Sequence, residues 1–196
     1  MKNRLIDIDL DMFYTQTGEY EKKTYTTIIE NEIINKEDQH QKLIDLIVVE
    51  NIEEIKKFLN NLDNIEYINY HKNDNNCLNT SLYNGNIEIC ELLLKYGADI
   101  NYKDNSGYYP IHRVALSKNI YLLDLLIKYG ADINQQDDNG NTLLHLAIII
   151  NNKDLIKKIL YYNPDLTIKN TLLLTSLECT NDDKILEIFN IHKINK

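Results

Sequence analysis

Tyr96-Gly97-Ala98-Asp99-Ile100-Asn101 and Tyr129-Gly130-Ala131-Asp132-Ile133-Asn134 are the same six-residue pattern, 33 positions apart. A further step of 33 reaches Tyr162-Asn163-Pro164-Asp165-Leu166-Thr167, which keeps the tyrosine and the aspartate. The same offset relates Gly107 to Gly140 and His112 to His145, and places Ala115 opposite Ile148. A fixed period over three units is the signature of a stacked array, in which each repeat is one supersecondary unit.

Within a unit, the residue types predict two helices and a turn. Pro110 suits the first turn of a helix, where its missing N–H has no partner to lose. Ile111, Val114 and Ala115 follow at helical spacing, and Lys118-Asn119 interrupts them. Leu122, Leu123, Leu125, Leu126 and Ile127 form a second, almost wholly apolar helix. Gly130 suits the left-handed residue after its end. Asn163 tolerates the same conformation one unit later, and Pro164 blocks further helix. A single unit cannot bury the inner faces of both helices, so the units must stack.

These residues resemble the ankyrin repeat, whose unit is a β-turn and two antiparallel helices with a T-P-L-H-x-A signature. The signature stands here as Tyr109-Pro110-Ile111-His112-Arg113-Val114 and Thr142-Leu143-Leu144-His145-Leu146-Ala147. A more decayed copy is Asn76-Cys77-Leu78-Asn79-Thr80-Ser81. The resemblance implies an all-α ankyrin-repeat solenoid of about five repeats including degenerate caps, with a short N-terminal extension. The expected clear repeats are 71–103, 104–136 and 137–169. Residues 37–70 are a degenerate repeat, in which Asn51-Ile52 aligns with Asn86-Ile87 at an offset of 35. Residues 170–196 are a C-terminal cap, with Thr171-Leu172-Leu173-Leu174 and Lys184–Phe189 as a shortened helix pair. Residues 37–196 thus form one repeat domain.

Residues 1–36 stand outside the repeat. Ile6, Ile8, Leu10 and Met12 alternate with Asp7, Asp9 and Asp11, a strand-like period of two, and helix is expected from Thr27 onward. Three carboxylates on alternate strand residues share a face. That admits a metal-dependent enzyme as the weakest of the functional readings, because the further motifs of such a site are missing from the sequence. A solvated face, or an acidic patch for a basic partner, fits better.

The formal net charge is −9 with a pI near 5.0. Residues 1–70 hold 8 basic and 15 acidic side chains, while 71–169 hold 10 and 11. Nucleic-acid and anionic-membrane binding both need surplus Lys and Arg, so neither is expected. No apolar run reaches the roughly 18–20 residues of a membrane span. Met1–Tyr14 lacks the apolar stretch of a secretion signal, and three cysteines form no C-x-x-C pair. Both features predict a reducing, cytoplasmic setting without disulfides or zinc.

The remaining candidates read as structural. The resemblance implies that His112 and His145 brace neighbouring turns by hydrogen bonds; stacking also sets them too far apart to hold one ion, and Asn79 replaces the third. Cys90 falls in the apolar stripe of a second helix, Cys77 stands where the motif has proline, and Cys179 lies near the end of a first helix. None has a recognisable base. Tyr96, Tyr129 and Tyr162 are expected to pack by their rings and expose their hydroxyls. No catalytic residue, metal or cofactor is expected.

What is left is surface. The family binds through turn tips and the exposed face of each first helix. Carried over by alignment, that implies Lys72, Asn73, Asn75, Tyr83 and Asn84, then Lys103, Asn105, Ser106, Tyr108, Leu116 and Ser117. The third clear unit contributes Asp138, Asn139, Asn141, Ile149 and Ile150. Ile148-Ile149-Ile150 is too wide for one buried stripe, so the C-terminal cap covers it or a partner does. The resemblance implies a non-enzymatic module that binds a partner protein, expected to be basic, through its concave face while itself a monomer. A dedicated inhibitor or immunity protein of a basic toxin or enzyme is one form of this. A pathogen or viral adaptor recruiting host proteins is the other.

Overall fold

The computed structural model describes residues 36–60, 66–70, 76–117 and 119–194. The chain divides into two compact units, residues 1–38 and 39–196, and the described helices lie in the second apart from residues 36–38. The strand and helix expected within residues 1–35, with Asp7, Asp9 and Asp11, lie outside the described residues, as do Lys72, Asn73 and Asn75.

Helices follow one another in pairs. The first pair is α1 (36–48) and α2 (Ile52–Asn60), followed by the single turn α3 (Glu66–Asn69). Then come α4 (Cys77–Asn84) with α5 (Ile87–Lys95), and α6 (Pro110–Arg113) with α7 (Leu122–Lys128). The last full pair is α8 (Leu143–Ile149) with α9 (Lys153–Tyr161), and a 3₁₀ turn, Ser176–Cys179, precedes α10 (Asp183–Ile194). Five pairs result, the outer two being the caps. One continuous core runs through them, from Leu43, Ile47 and Ile55 through Leu78, Leu93 and Leu126 to Ile159, Ile185 and Phe189.

Local chemistry sets the boundaries. The second helix of most units opens on an asparagine whose Oδ1 accepts a backbone N–H three residues on: Asn51 from Glu54, Asn86 from Ile89, Asn152 from Leu155. The first helices end on a residue of positive φ: Glu50 at 54°, Gly85 at 82° and Asn151 at 55°. The aligned position of the middle unit carries Lys118. There Ser117 ends the helix in extended backbone, and the preceding turn, Val114–Leu116, tightens to 3₁₀. The first helix of that unit is therefore shorter than the apolar spacing implies.

The C-terminal cap also departs from expectation. Thr171–Leu174 is a turn, not a helix, and the short helix begins at Ser176. Asn170 explains the turn. Its Oδ1 accepts N–H bonds from Leu172 and Leu174, as Asp104 does from Ser106 and Tyr108, and Asp137 from Asn139 and Asn141. Gly107 and Gly140 take positive φ in the first two of these turns, and Leu173 must do so in the third, at 61°.

The histidines brace the stack as expected. His112 Nδ1 accepts the Tyr109 N–H at 3.1 Å, and Nε2 donates to the Gln135 carbonyl at 2.9 Å. His145 repeats this with the Thr142 N–H and the Leu174 carbonyl. Each ring is thus fixed as its neutral Nε2–H tautomer with both nitrogens engaged. Burial pushes both histidines below their ordinary value of 6.5, against the opposing pull of the carbonyls. Asn79 is too short for this task, and its Oδ1 is buried with no hydrogen-bond partner among the described residues.

Candidate functional site

The first helices α1, α4, α6 and α8 end side by side, and side-chain-to-backbone bonds fix the register of the first three. Asn84 Nδ2 donates to the Ile47 carbonyl at 3.2 Å, and Asn119 Nδ2 donates to the Gly85 carbonyl at 3.1 Å. This register aligns Val48, Tyr83, Leu116 and Ile149, the equivalent residues of four consecutive units. All are apolar or aromatic, and all are open to solvent, at 58, 63, 54 and 58% exposure. Val49 and Ile150, next to the two ends of the row, are exposed as well. The stack thus carries an uncovered apolar ridge along its inner helices. Such a ridge is a docking feature, since isolated exposed leucines need no explanation but aligned ones do.

Between two units the ridge opens into a groove of about 270 Å³, lined by Asn76, Asn79, Thr80, Tyr83, Arg113 and Leu116. Arg113 is its organising residue. Its Nε donates to Asp104 Oδ2 at 2.8 Å and its Nη2 closes a second bond to the same oxygen. Its guanidinium lies 5.1 Å from the centre of the Tyr108 ring. Asp104 is fully buried, because it also holds the turn that opens the unit. The guanidinium is therefore fixed by the same carboxylate that shapes the backbone beside it.

The expected contact residues separate into two groups. Tyr83, Leu116, Ile149 and Ile150 sit on the ridge. Ile149 and Ile150 are not covered by the C-terminal cap, because α8 ends there and only Ile148 turns inward. The turn-tip residues serve the scaffold as well. Lys103 pairs with Asp138 at 2.8 Å, and Asn141 accepts from Asn170 Nδ2 at 3.0 Å. Ser117 Oγ accepts the Asn119 N–H, and Tyr108 is a half-buried platform under Arg113. Asn105, Ser106 and Asn139 are exposed at the tips. Sequence reasoning missed Val48, Val49 and Arg113. The alignment of Asn51 with Asn86 was the signal for the valines, since the same offset places Val48 at Tyr83.

The opposite face is different in kind. Lys56 bonds Glu88 at 3.1 Å, Lys128 bonds Glu91 at 2.9 Å and Lys158 bonds Asp124 at 2.6 Å. These pairs join α2, α5, α7 and α9 in sequence. Two of the three repeated tyrosines take part, so the hydroxyls of Tyr96 and Tyr162 are hydrogen-bonded rather than left to solvent as expected. Tyr96 donates to Asn60, and Tyr162 donates to Asp124, a bond that pushes the Tyr162 phenol up to about 12. Burial alone would raise Asp124, but hydrogen bonds from Lys158 and Tyr162 outweigh it and keep the carboxyl below its ordinary range.

The buried sulfurs are chemically quiet. Desolvation pushes both the Cys77 and Cys90 thiols up to about 12, which keeps them protonated at neutral pH. Cys77 Sγ lies 3.7 Å from His40 Nδ1, but that ring nitrogen also contacts the Tyr67 carbonyl at 3.0 Å. Among the described residues no group of three His, Cys, Asp or Glu side chains is placed to hold a metal ion, and no helix is long and apolar enough to cross a membrane.

Comparison with known proteins agrees with this architecture. Residues 82–120 and 115–160 match the family model for ankyrin repeats (many copies). The human Notch-regulated ankyrin repeat-containing protein is 32% identical over 68 residues, which are 34% of this chain and 60% of that protein. The mouse protein of the same name matches to the same extent. The chain therefore spans about 60% of the length of the curated relatives it matches.

Proposed function

We propose that this chain, whose residues 82–120 and 115–160 match the ankyrin-repeat family model, a fold that serves as a protein-interaction module, binds a partner protein along the ridge formed by Val48, Tyr83, Leu116 and Ile149. The observation that carries the reading is the exposure of apolar side chains at the same position in four successive units. Aromatic and aliphatic anchors beside a fixed arginine are the usual composition of binding hot spots. Lys103, Asn105, Tyr108, Ser117, Asp138 and Asn141 then form the polar rim.

We further propose that the bound partner is a basic enzyme or toxin and that the chain acts as its dedicated inhibitor, in the manner of an immunity protein. Support comes from the net charge of −9, which steers a basic partner and disfavours acidic ones. The test is capture of that partner by Tyr83→Ala and Leu116→Ala variants, beside Lys128→Ala on the outer face as control. The reading expects the ridge variants to lose affinity by several kcal/mol in sum with unchanged melting, against little change for the control. Equal capture by all variants removes the ridge assignment. Capture without loss of the partner's activity removes the inhibitor role and leaves the module.

A further inference from the structure

Resting on the ridge as the binding surface, we infer that its occupant is an amphipathic α-helix with apolar residues at heptad spacing and basic residues over the first unit. The argument starts from the step between units. Helices packed side by side stand about 8–10 Å apart, so Val48, Tyr83, Leu116 and Ile149 recur at about that interval. Seven residues of α-helix advance about 10.5 Å and return to the same face. Three steps thus take about 21 residues, a helix of some 31 Å. At a step of about 10 Å the helix misses each anchor by about 0.5 Å, whereas the same-face side chains of an extended segment recur about every 6.8 Å and miss by about 3 Å. The four equivalent anchors match one helix face.

Charge fixes the direction. Along this side of the stack Lys103, Arg113 and Lys153 are each paired within the protein, with Asp138, Asp104 and Asp182. Asp45 and Glu50, which flank Val48, are exposed and are not. Asp45 accepts a hydrogen bond from Gln41 and Glu50 accepts one from Asn86, both neutral donors, and neither meets a cation among the described residues. A helix on the ridge is therefore met at the Val48 end by two carboxylates without a cationic partner among the described residues, whereas Lys103, Arg113 and Lys153 farther along are already paired. Lysines or arginines in the heptad over Val48 complement them.

The test uses the full chain and three synthetic peptides of about 22 residues, the length of three steps. One carries Leu at every seventh position and lysines in the heptad over Val48. The second is its isomer with the leucines on alternate residues. The third replaces the lysines with glutamates. Fluorescence anisotropy is expected to show the first binding about tenfold or more tighter than either other peptide, with a gain in peptide helicity by circular dichroism. Asp45→Lys with Glu50→Lys is expected to reverse the preference between the first and third peptides, and Leu116→Asp is expected to abolish binding. Equal binding of the three, tighter binding of the alternating isomer, or no binding at all overturns the inference. If the peptides fail while Tyr83→Ala and Leu116→Ala still impair capture of a partner protein, the helix is lost as occupant and the ridge stands. If partner capture is also indifferent to those variants, the ridge itself is lost.

Discussion

Asp104 offers a measurement in which the molecule supplies its own control. One carboxylate oxygen accepts two backbone N–H bonds, at 3.0 Å and 2.9 Å, and closes the turn. The other pairs with Arg113. Asp104→Asn keeps the first function, because Asn170 performs it in the last turn with its own Oδ1. The substitution therefore isolates the ion pair. Removing the charge partner from a largely buried guanidinium is expected to cost about 1–3 kcal/mol. Asp104→Ala removes both functions and leaves two N–H groups and the arginine unpaired, for a loss of roughly 3–5 kcal/mol. Asp137→Asn, at a turn with no arginine, is expected to cost less than about 1 kcal/mol. Urea unfolding at neutral pH, followed by circular dichroism with unchanged m, gives these differences directly. If Asp104→Asn is as mild as Asp137→Asn, the ion pair does not stabilise the fold and Arg113 is not held in place by it.

Other outcomes follow from the turns and braces. His112 and His145 are buried as neutral rings with depressed pKa, so their contribution is complete above the unfolded value of 6.5 and is lost as pH falls below it. Each is expected to lower stability by at most about 1.4 kcal/mol per pH unit in that window, seen as a urea midpoint falling from pH 7.5 toward 5. Asn79→His restores the missing brace and is expected to raise stability by about 1 kcal/mol, read from the same unfolding curves; a loss shows that the position cannot hold a ring. Leu173→Gly relieves a left-handed leucine and is expected to gain about 0.5–1 kcal/mol. Gly140→Ala does the reverse, at φ 72° with the added carbon 3.0 Å from Asn170 backbone, and is expected to cost about 2 kcal/mol or more. Iodoacetamide is expected to leave Cys77 and Cys90 unlabelled until the chain unfolds, with mass spectrometry as the readout.

The parts of the fold legible in the sequence are those that local chemistry fixes alone. Asn51, Asn86 and Asn152 start helices by capping them, and Gly130 and Asn163 end helices by accepting positive φ, whatever surrounds them. The last turn was not legible because Leu173 stands where earlier turns have glycine. Leu172-Leu173-Leu174 has the composition of a helix, yet Asn170, 33 residues after Asp137, bonds the backbone into a turn. Arg113 was hidden for another reason. Its partner lies nine residues earlier and its neighbours in the array are Thr80 and Leu146, so no repeat pattern marks it. For Ile148-Ile149-Ile150, composition says that all three are apolar but not which one faces the core. That depends on where α8 stops, and Asn151 at φ 55° stops it after Ile149.

The two faces of the stack solve opposite problems with the same repeat. On the outer face, each second helix offers a charge that the next one neutralises, Lys56 to Glu88, Glu91 to Lys128, Asp124 to Lys158. Changing one of these residues alone breaks a pair and leaves its partner exposed, so the positions constrain one another. On the inner face, Val48, Tyr83, Leu116 and Ile149 have neither a common residue type nor a burial role, and their differing shapes leave the neighbouring backbone bonds intact. The scaffold is built from Asn84, Asn119, Asp104, His112 and their equivalents, which bond the main chain rather than one another. Side chains on the ridge can therefore change without cost to the stack. The freedom to vary is what a recognition surface requires, and here four independent positions use it to remain apolar and exposed. A surface under solubility constraints alone gains nothing from that outcome.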